Sequence, residues 1–146
     1  MQARQALAAL VPHAGSMCLL DEIVSWNQTR VCCRSASHRR ADHPLRRDGF
    51  LPAINLLEYA AQATAVHGGL VAGAGDSPAP AKYLAAARDF DLHVASLDDI
   101  QADLHIDAER LLAMGDSVLY RFRVSADGRE LATGRLTILP PAGEPS

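Results

Sequence analysis

From Gly49 to Gly75 the chain carries a single formally charged side chain, and on either side of that run apolar and polar residues alternate with a period of two. Alternation marks strands with one buried face, and a long apolar run opened by a proline marks a buried helix. Met17 to Trp26 and Arg30 to Ser37 are rich in Val, Ile, Cys and Leu and are separated by Asn27-Gln28-Thr29, which predicts a hairpin. Arg39 to Gly49 has no apolar period and contains Pro44 and Gly49, so it predicts a loop. Pro52 fits the first turn of a helix, where its missing N–H would have no partner anyway; the helix should end at Gly68-Gly69 or, after fraying, near Gly73.

Beyond Pro78-Ala79-Pro80, strands are expected at Tyr83 to Val94, Ile100 to Ile106, Val118 to Val124 and Glu130 to Leu139. Asp127-Gly128 is the strongest turn signal, because Gly readily supplies the positive φ of a two-residue hairpin loop. With a short amino-terminal helix added, the order predicts an α+β fold: an antiparallel sheet of about six strands with its helices on one side. Residues 1–139 are expected to form one domain, and 140–146 a flexible polar tail.

Composition narrows the partners. At 146 residues and 49% hydrophobic, the chain has the material for one domain with a real core. A net charge of -3 argues against binding nucleic acid through bulk positive charge. Cys18, Cys32 and Cys33 contain no Cys-x-x-Cys pair, so they suggest neither a disulfide framework nor a zinc site; they read as core residues of a reducing compartment, and the cytoplasm is the expected location. Phe50 to Gly73 is long enough to cross a bilayer, but Glu58 at its middle would cost about 2.5 to 3.5 kcal/mol there, and Gln62 and His67 add to that. A buried helix in a soluble protein is the better reading, with no metal and no cofactor expected.

Glu58 is the residue that asks for an explanation. Asn55, Glu58 and Gln62 fall at i, i+3 and i+7, so the polar groups of the central turns form one stripe on an apolar helix, facing a cavity, a cleft or a second subunit. Burial disfavours a charged carboxylate, so an acid placed there is suited to hold a proton and deliver it. A structural acid tied to an N–H or an Arg is the bland alternative. His38 and His43 precede the helix, and an imidazole with a carboxylic acid supplies the two proton-transfer groups that an elimination needs.

Pro52-Ala53-Ile54-Asn55-Leu56-Leu57-Glu58-Tyr59-Ala60-Ala61-Gln62-Ala63 resembles the helix of the hotdog-fold β-hydroxyacyl-acyl-carrier-protein dehydratases, with the spacing of Pro, Glu and Gln matched without a gap. Leu10-Val11-Pro12-His13, followed by Met17 to Ile23, is similar to that family's opening. Ser37-His38-Arg39, Pro44-Leu45-Arg46, His67-Gly68-Gly69 and Tyr83 to Asp89 resemble the subgroup of predicted dehydratases found with aryl-polyene and xanthomonadin-type pigment synthesis. The resemblance covers nearly the whole chain and implies a curved sheet wrapped around one long central helix. Two positions differ: the loop reads His43-Pro44-Leu45-Arg46 where the family has His-x-Pro-Gly, and Ala53 stands at the helix-start Gly.

The resemblance implies that Glu58 is the acid, that His43 or else His38 is the base, and that one chain's acid works with its partner's imidazole. Ala53 and Ile54 would offer N–H groups at the helix start to the thioester oxygen, with Asn55 and Gln62 lining the substrate. Arg39, Arg40, Arg46 and Arg47 read either as a solvated loop or as a docking patch for an acidic acyl carrier protein whose phosphopantetheine arm delivers the substrate. His13, His67, His93 and His105 read as structural. The expected function is removal of water from a carrier-bound 3-hydroxyacyl thioester by a homodimer or a heterodimer with another hotdog subunit. The alternatives are a hotdog acyl thioesterase and a noncatalytic subunit of a heteromeric dehydratase.

Overall fold

The computed structural model describes residues 18–72 and 83–139. Its strands are β1 (Glu22–Trp26), β2 (Arg30–Ser35), β3 (Tyr83–Leu92), β4 (Leu104–Met114), β5 (Ser117–Ala126) and β6 (Arg129–Leu139); one long helix, α1 (Leu56–Ala72), lies between β2 and β3 in sequence. All six strands belong to one antiparallel sheet in the order β1-β2-β4-β5-β6-β3. The amino-terminal helix and the carboxy-terminal tail expected from the sequence lie outside the described residues.

Local chemistry closes the hairpins. Asn27 Oδ1 accepts from the N–H groups of Thr29 and Arg30, both at 2.9 Å, and so shapes the β1–β2 turn. Asp127 and Gly128 both take positive φ, 52° and 76°, as a primed two-residue hairpin turn requires between β5 and β6.

Helix α1 packs on β2, β4 and β5. Leu56, Tyr59, Ala60, Ala63 and Val66 are all fully buried, a spacing that keeps one face of the helix on the sheet. They share one core with the inward-facing Ile106, Ala108, Phe122, Val124 and Leu136 of the strands. Each large apolar side chain enclosed in this way contributes about 1.5 to 3 kcal/mol, so the face as a whole outweighs any one polar contact in the molecule.

Two sequence expectations change. The first strand begins at Glu22 rather than Met17, because the preceding backbone is claimed by side chains: the Leu19 N–H donates to Gln62 Oε1 at 2.8 Å and the Leu19 carbonyl accepts from Ser35 Oγ at 2.5 Å. The fourth strand runs from Leu104 to Met114 instead of Ile100 to Ile106. The Ile100 carbonyl is taken by His38 and the Gln101 carbonyl by Arg39, while the apolar run Leu111-Leu112-Ala113-Met114 forms the strand's far end, past a register shift between Arg110 and Leu112.

Gly134 on β6 has no room for a side chain. A Cβ there would lie 2.8 Å from Phe122 Cε2 and 3.3 Å from the Phe90 backbone, and Phe122 is enclosed in the core. Gly134→Ala is expected to cost about 1 to 3 kcal/mol through overpacking, read as a lower midpoint in urea denaturation; an unchanged midpoint would show that Phe122 moves aside freely.

Candidate active site

The loop from Ala36 to Leu51 is built around one guanidinium. Arg46 donates to the Arg40 carbonyl (2.8 Å), the His38 carbonyl (2.9 Å) and Asp98 Oδ1 (2.5 Å). Asp98 Oδ2 in turn accepts from the Leu51 N–H at 2.9 Å and the Ser96 hydroxyl at 2.7 Å, so one ion pair ties the loop to the entry of α1. Arg46 holds the Asp98 carboxyl well down, at about 2, with the Leu51 N–H and Ser96 adding to the effect. The helix entry is also stitched by backbone bonds, Leu97 N–H to Leu51 carbonyl at 2.9 Å and Ala53 N–H to Ala95 carbonyl at 3.0 Å.

Glu58 lies in the first turn of α1 and is half-buried. Its Oε2 accepts from Gln62 Nε2 at 3.0 Å, one helical turn on, while Gln62 Oε1 accepts from the Leu19 N–H. The Leu19 N–H can only donate, so the amide orientation is fixed and its NH₂ must face the acid. The expected polar stripe is therefore divided. Gln62 is buried and points inward, Asn55, half-buried, bends back to donate to the Pro52 carbonyl at 3.1 Å, and Glu58 stays half-buried at the boundary.

His43 is buried, with 4% of its surface exposed, on the inner side of α1. Its Nε2 lies 3.0 Å from the Tyr59 hydroxyl and its Nδ1 accepts the Leu45 N–H at 3.1 Å. Burial first, then Arg40, Arg46 and His38, lowers its pKa to about 4, so the ring is neutral at pH 7. Tyr59 lies 2.6 Å from Ser37 Oγ, and Ser37 Oγ lies 2.9 Å from Ser35 Oγ. Burial pushes the Tyr59 hydroxyl up to about 12, so it keeps its proton. Tyr59, Ser37 and Ser35 were missed in the sequence, although a Tyr on a buried helix always has a hydroxyl to place.

The remaining candidates fall into distinct settings. His38 is fully enclosed; its Nε2 donates to the Ile100 carbonyl at 3.0 Å, and burial lowers its pKa. No hydrogen bond joins Glu58 to His43 or to His38 among the described residues. The Ala53 N–H, expected to be unpaired at the helix start, is instead spent on Ala95, while the Ile54 side chain is exposed. Arg39 pairs with Asp103 at 2.9 Å and Arg40 lies 3.3 Å from Asp42; Arg46 is consumed by the loop, and Arg47 is exposed. His67 is a core clamp, its Nε2 donating to the Asn27 carbonyl and its Nδ1 accepting from Tyr120. Burial pushes the Cys33 thiol up to about 12 and Cys32 up to about 11, so neither is a nucleophile at neutral pH. A groove of about 400 Å³, lined by Asp107, Arg121, Arg123 and Arg135, lies on the outer face of the sheet, away from Glu58.

The family model for ApeP-like proteins, described as ApeP dehydratase, matches residues 5–146. The chain belongs to the ApeP-like dehydratase family. Among solved structures, the dehydratase heterocomplex ApeI:P from Xenorhabdus doucetiae superposes with a TM-score of 0.82 at 24% identity, over 94% of this chain and 91% of that one. AziG from S. sahachiroi gives 0.61 at 12% identity, over 82% and 89%. A hypothetical thioesterase with coenzyme A from Streptococcus pneumoniae gives 0.59 at 14%, over 82% and 84%. These likenesses carry the hotdog fold, one helix wrapped by a curved antiparallel sheet. No curated protein sequence matches the chain. Among the described residues, no helix of this family member is long and apolar enough to cross a membrane.

The neutral state of His43 has a consequence for stability. Unfolded, the imidazole titrates near 6.5, and folded it stays neutral down to about 4, so the unfolded chain binds more protons in that window. Its contribution is complete above pH 6.5 and is lost as the pH falls towards 4. His38 and His67 are shifted in the same direction. Melting His43→Gln alongside the parent from pH 7.5 to 4 should show a shallower decline in the variant; parallel declines would contradict the account.

Proposed function

We propose that this chain is a subunit of a dehydratase that removes water from 3-hydroxyacyl thioesters carried by an acyl carrier protein, with Glu58 as the acid. The observation that carries this reading is the separation of the two candidate groups. Glu58 and Tyr59 are consecutive on α1, so they point about 100° apart, and His43 is bound to Tyr59 on the inner side. Glu58 is left at the boundary, held by Gln62, with no imidazole bonded to it among the described residues. A second hotdog subunit laid across that boundary would supply the imidazole. The assembly of ApeI with ApeP in the Xenorhabdus doucetiae complex favours a distinct partner chain over a second copy.

The elimination then balances simply. An imidazole takes the proton from Cα, the electron pair of that bond becomes the Cα–Cβ double bond, and the Cβ–O bond breaks. Glu58, carrying a proton, gives it to the departing hydroxyl, which leaves as water. Proton transfer from imidazolium to carboxylate restores both groups. The Ile54 N–H, at the positive end of the helix dipole, is the remaining candidate for the thioester oxygen, since the Ala53 N–H is engaged.

A second reading is favoured by one feature. His43 uses both ring nitrogens within its own chain and is almost wholly enclosed, which suits a structural hub. On that reading this chain donates Glu58 to one site and supports its partner without supplying a base.

In the assembled protein, Glu58→Gln should lower formation of the 2-enoyl thioester by about 100- to 10,000-fold, followed by mass spectrometry of the carrier-bound product. Unchanged turnover removes the acid role, and release of free thiol without enoyl product favours the thioesterase. Carrier docking falls to the exposed Arg47, with Arg39 and Arg40 of the same loop as the further candidates. Arg47→Glu should weaken carrier binding and flatten its salt dependence while leaving the fold intact; the same affinity and salt slope as the parent would exclude the patch.

A further inference from the structure

A chain of buried hydroxyl groups runs from His43 to a backbone carbonyl, and its direction can be worked out atom by atom. The last contact, Ser35 Oγ to the Leu19 carbonyl at 2.5 Å, needs a hydrogen that the carbonyl lacks, so Ser35 donates. With that proton spent, Ser35 must accept from Ser37 at 2.9 Å, and it also accepts the Ser37 N–H at 3.0 Å. Ser37 is thereby committed as donor, so it accepts from Tyr59 at 2.6 Å. Tyr59 has then used its one proton, and His43 Nε2, 3.0 Å from its oxygen, must carry a hydrogen. The other side of the ring gives the same answer independently: the Leu45 N–H at 3.1 Å requires a lone pair on Nδ1.

We infer that Tyr59, acting through Ser37 and Ser35, is a positioning residue that locks His43 in the Nε2–H tautomer, leaving Nδ1 as the one ring atom able to take a proton. The chemical consequence rests on the proposed elimination. If His43 serves as base for an acid on the partner, the proton leaves Cα for Nδ1 and the Leu45 N–H gives way to substrate. The ring becomes an imidazolium that keeps its Nε2–H on Tyr59. No proton travels along the hydroxyl groups, because their hydrogens already point to a carbonyl that cannot pass one on. The row is a brace and not a proton wire. Which nitrogen of a histidine carries the hydrogen is set by what its other nitrogen meets; here the Tyr59 side is fixed by a row that ends on a carbonyl, while the Leu45 N–H favours the same tautomer without holding it alone, so that loss of Tyr59 frees the ring.

The test reads the tautomer directly. Long-range proton–nitrogen correlation spectra of the full chain at neutral pH should show His43 with hydrogen on Nε2 and a bare Nδ1. Tyr59→Phe removes the acceptor of that hydrogen. Ser37→Ala frees the Tyr59 hydroxyl to turn and compete for Nε2, and it serves if the first variant fails to fold. Both should move His43 to a mixture of tautomers and, in the assembled enzyme, lower kcat roughly tenfold or more with little change in KM. A wild-type ring with hydrogen on Nδ1, or an unmoved tautomer in the folded variants, overturns the inference. A tautomer that shifts as expected in a protein that never eliminates water, alone or with a partner, upholds the brace and overturns the proposed function.

Discussion

One residue, Leu19, is bonded by side chains through both of its backbone groups, and the arrangement of the site depends on it. Its N–H holds Gln62, which holds Glu58; its carbonyl ends the row of hydroxyl groups that begins at His43. The acid and the imidazole, on different sides of α1, are thus tethered to the same point of the chain. Every link is buried or half-buried, where an unpaired donor or acceptor costs about 1 to 3 kcal/mol. A fully paired network in such surroundings is stiff, and removing any member leaves its neighbours unpaired. That stiffness suits two groups that each need a fixed position more than it suits a surface that adapts to its ligand.

A second tether acts from the outside. Arg46 closes the loop onto Asp98, and Asp98 holds the Leu51 N–H, so the backbone that carries His43 and the backbone that begins α1 are joined by a single ion pair. The pair combines charge with three further bonds to carbonyl and amide groups, which distinguishes it from an isolated surface bridge of small value. Arg46 therefore belongs to the architecture of the loop, and the exposed cation nearest to it in sequence is Arg47.

Much of this was legible beforehand, and the reasons for the rest are physical. The central helix, the β1–β2 hairpin and the Asp127-Gly128 turn follow from local chemistry, which the sequence displays directly. The course of β4 does not, because Ile100 to Asp103 alternates like a strand but loses its carbonyls to His38 and Arg39 from a distant loop. The Ala53 N–H looks free from its position at a helix start, and only the fold brings the Ala95 carbonyl to it. Glu58 and His43 stand out as candidate chemistry, whereas their separation by the helix and the brace from Tyr59 to Ser35 depend on contacts between residues far apart in the chain.

The central claim is that Glu58 works with an imidazole from a second hotdog subunit. It is tested most directly by following a carrier-bound 3-hydroxyacyl thioester by mass spectrometry, first with this chain diluted until it is monomeric and then with the second subunit added. The account predicts no loss of water from the substrate in the first case and a 2-enoyl product in the second. Turnover by the monomer would contradict it.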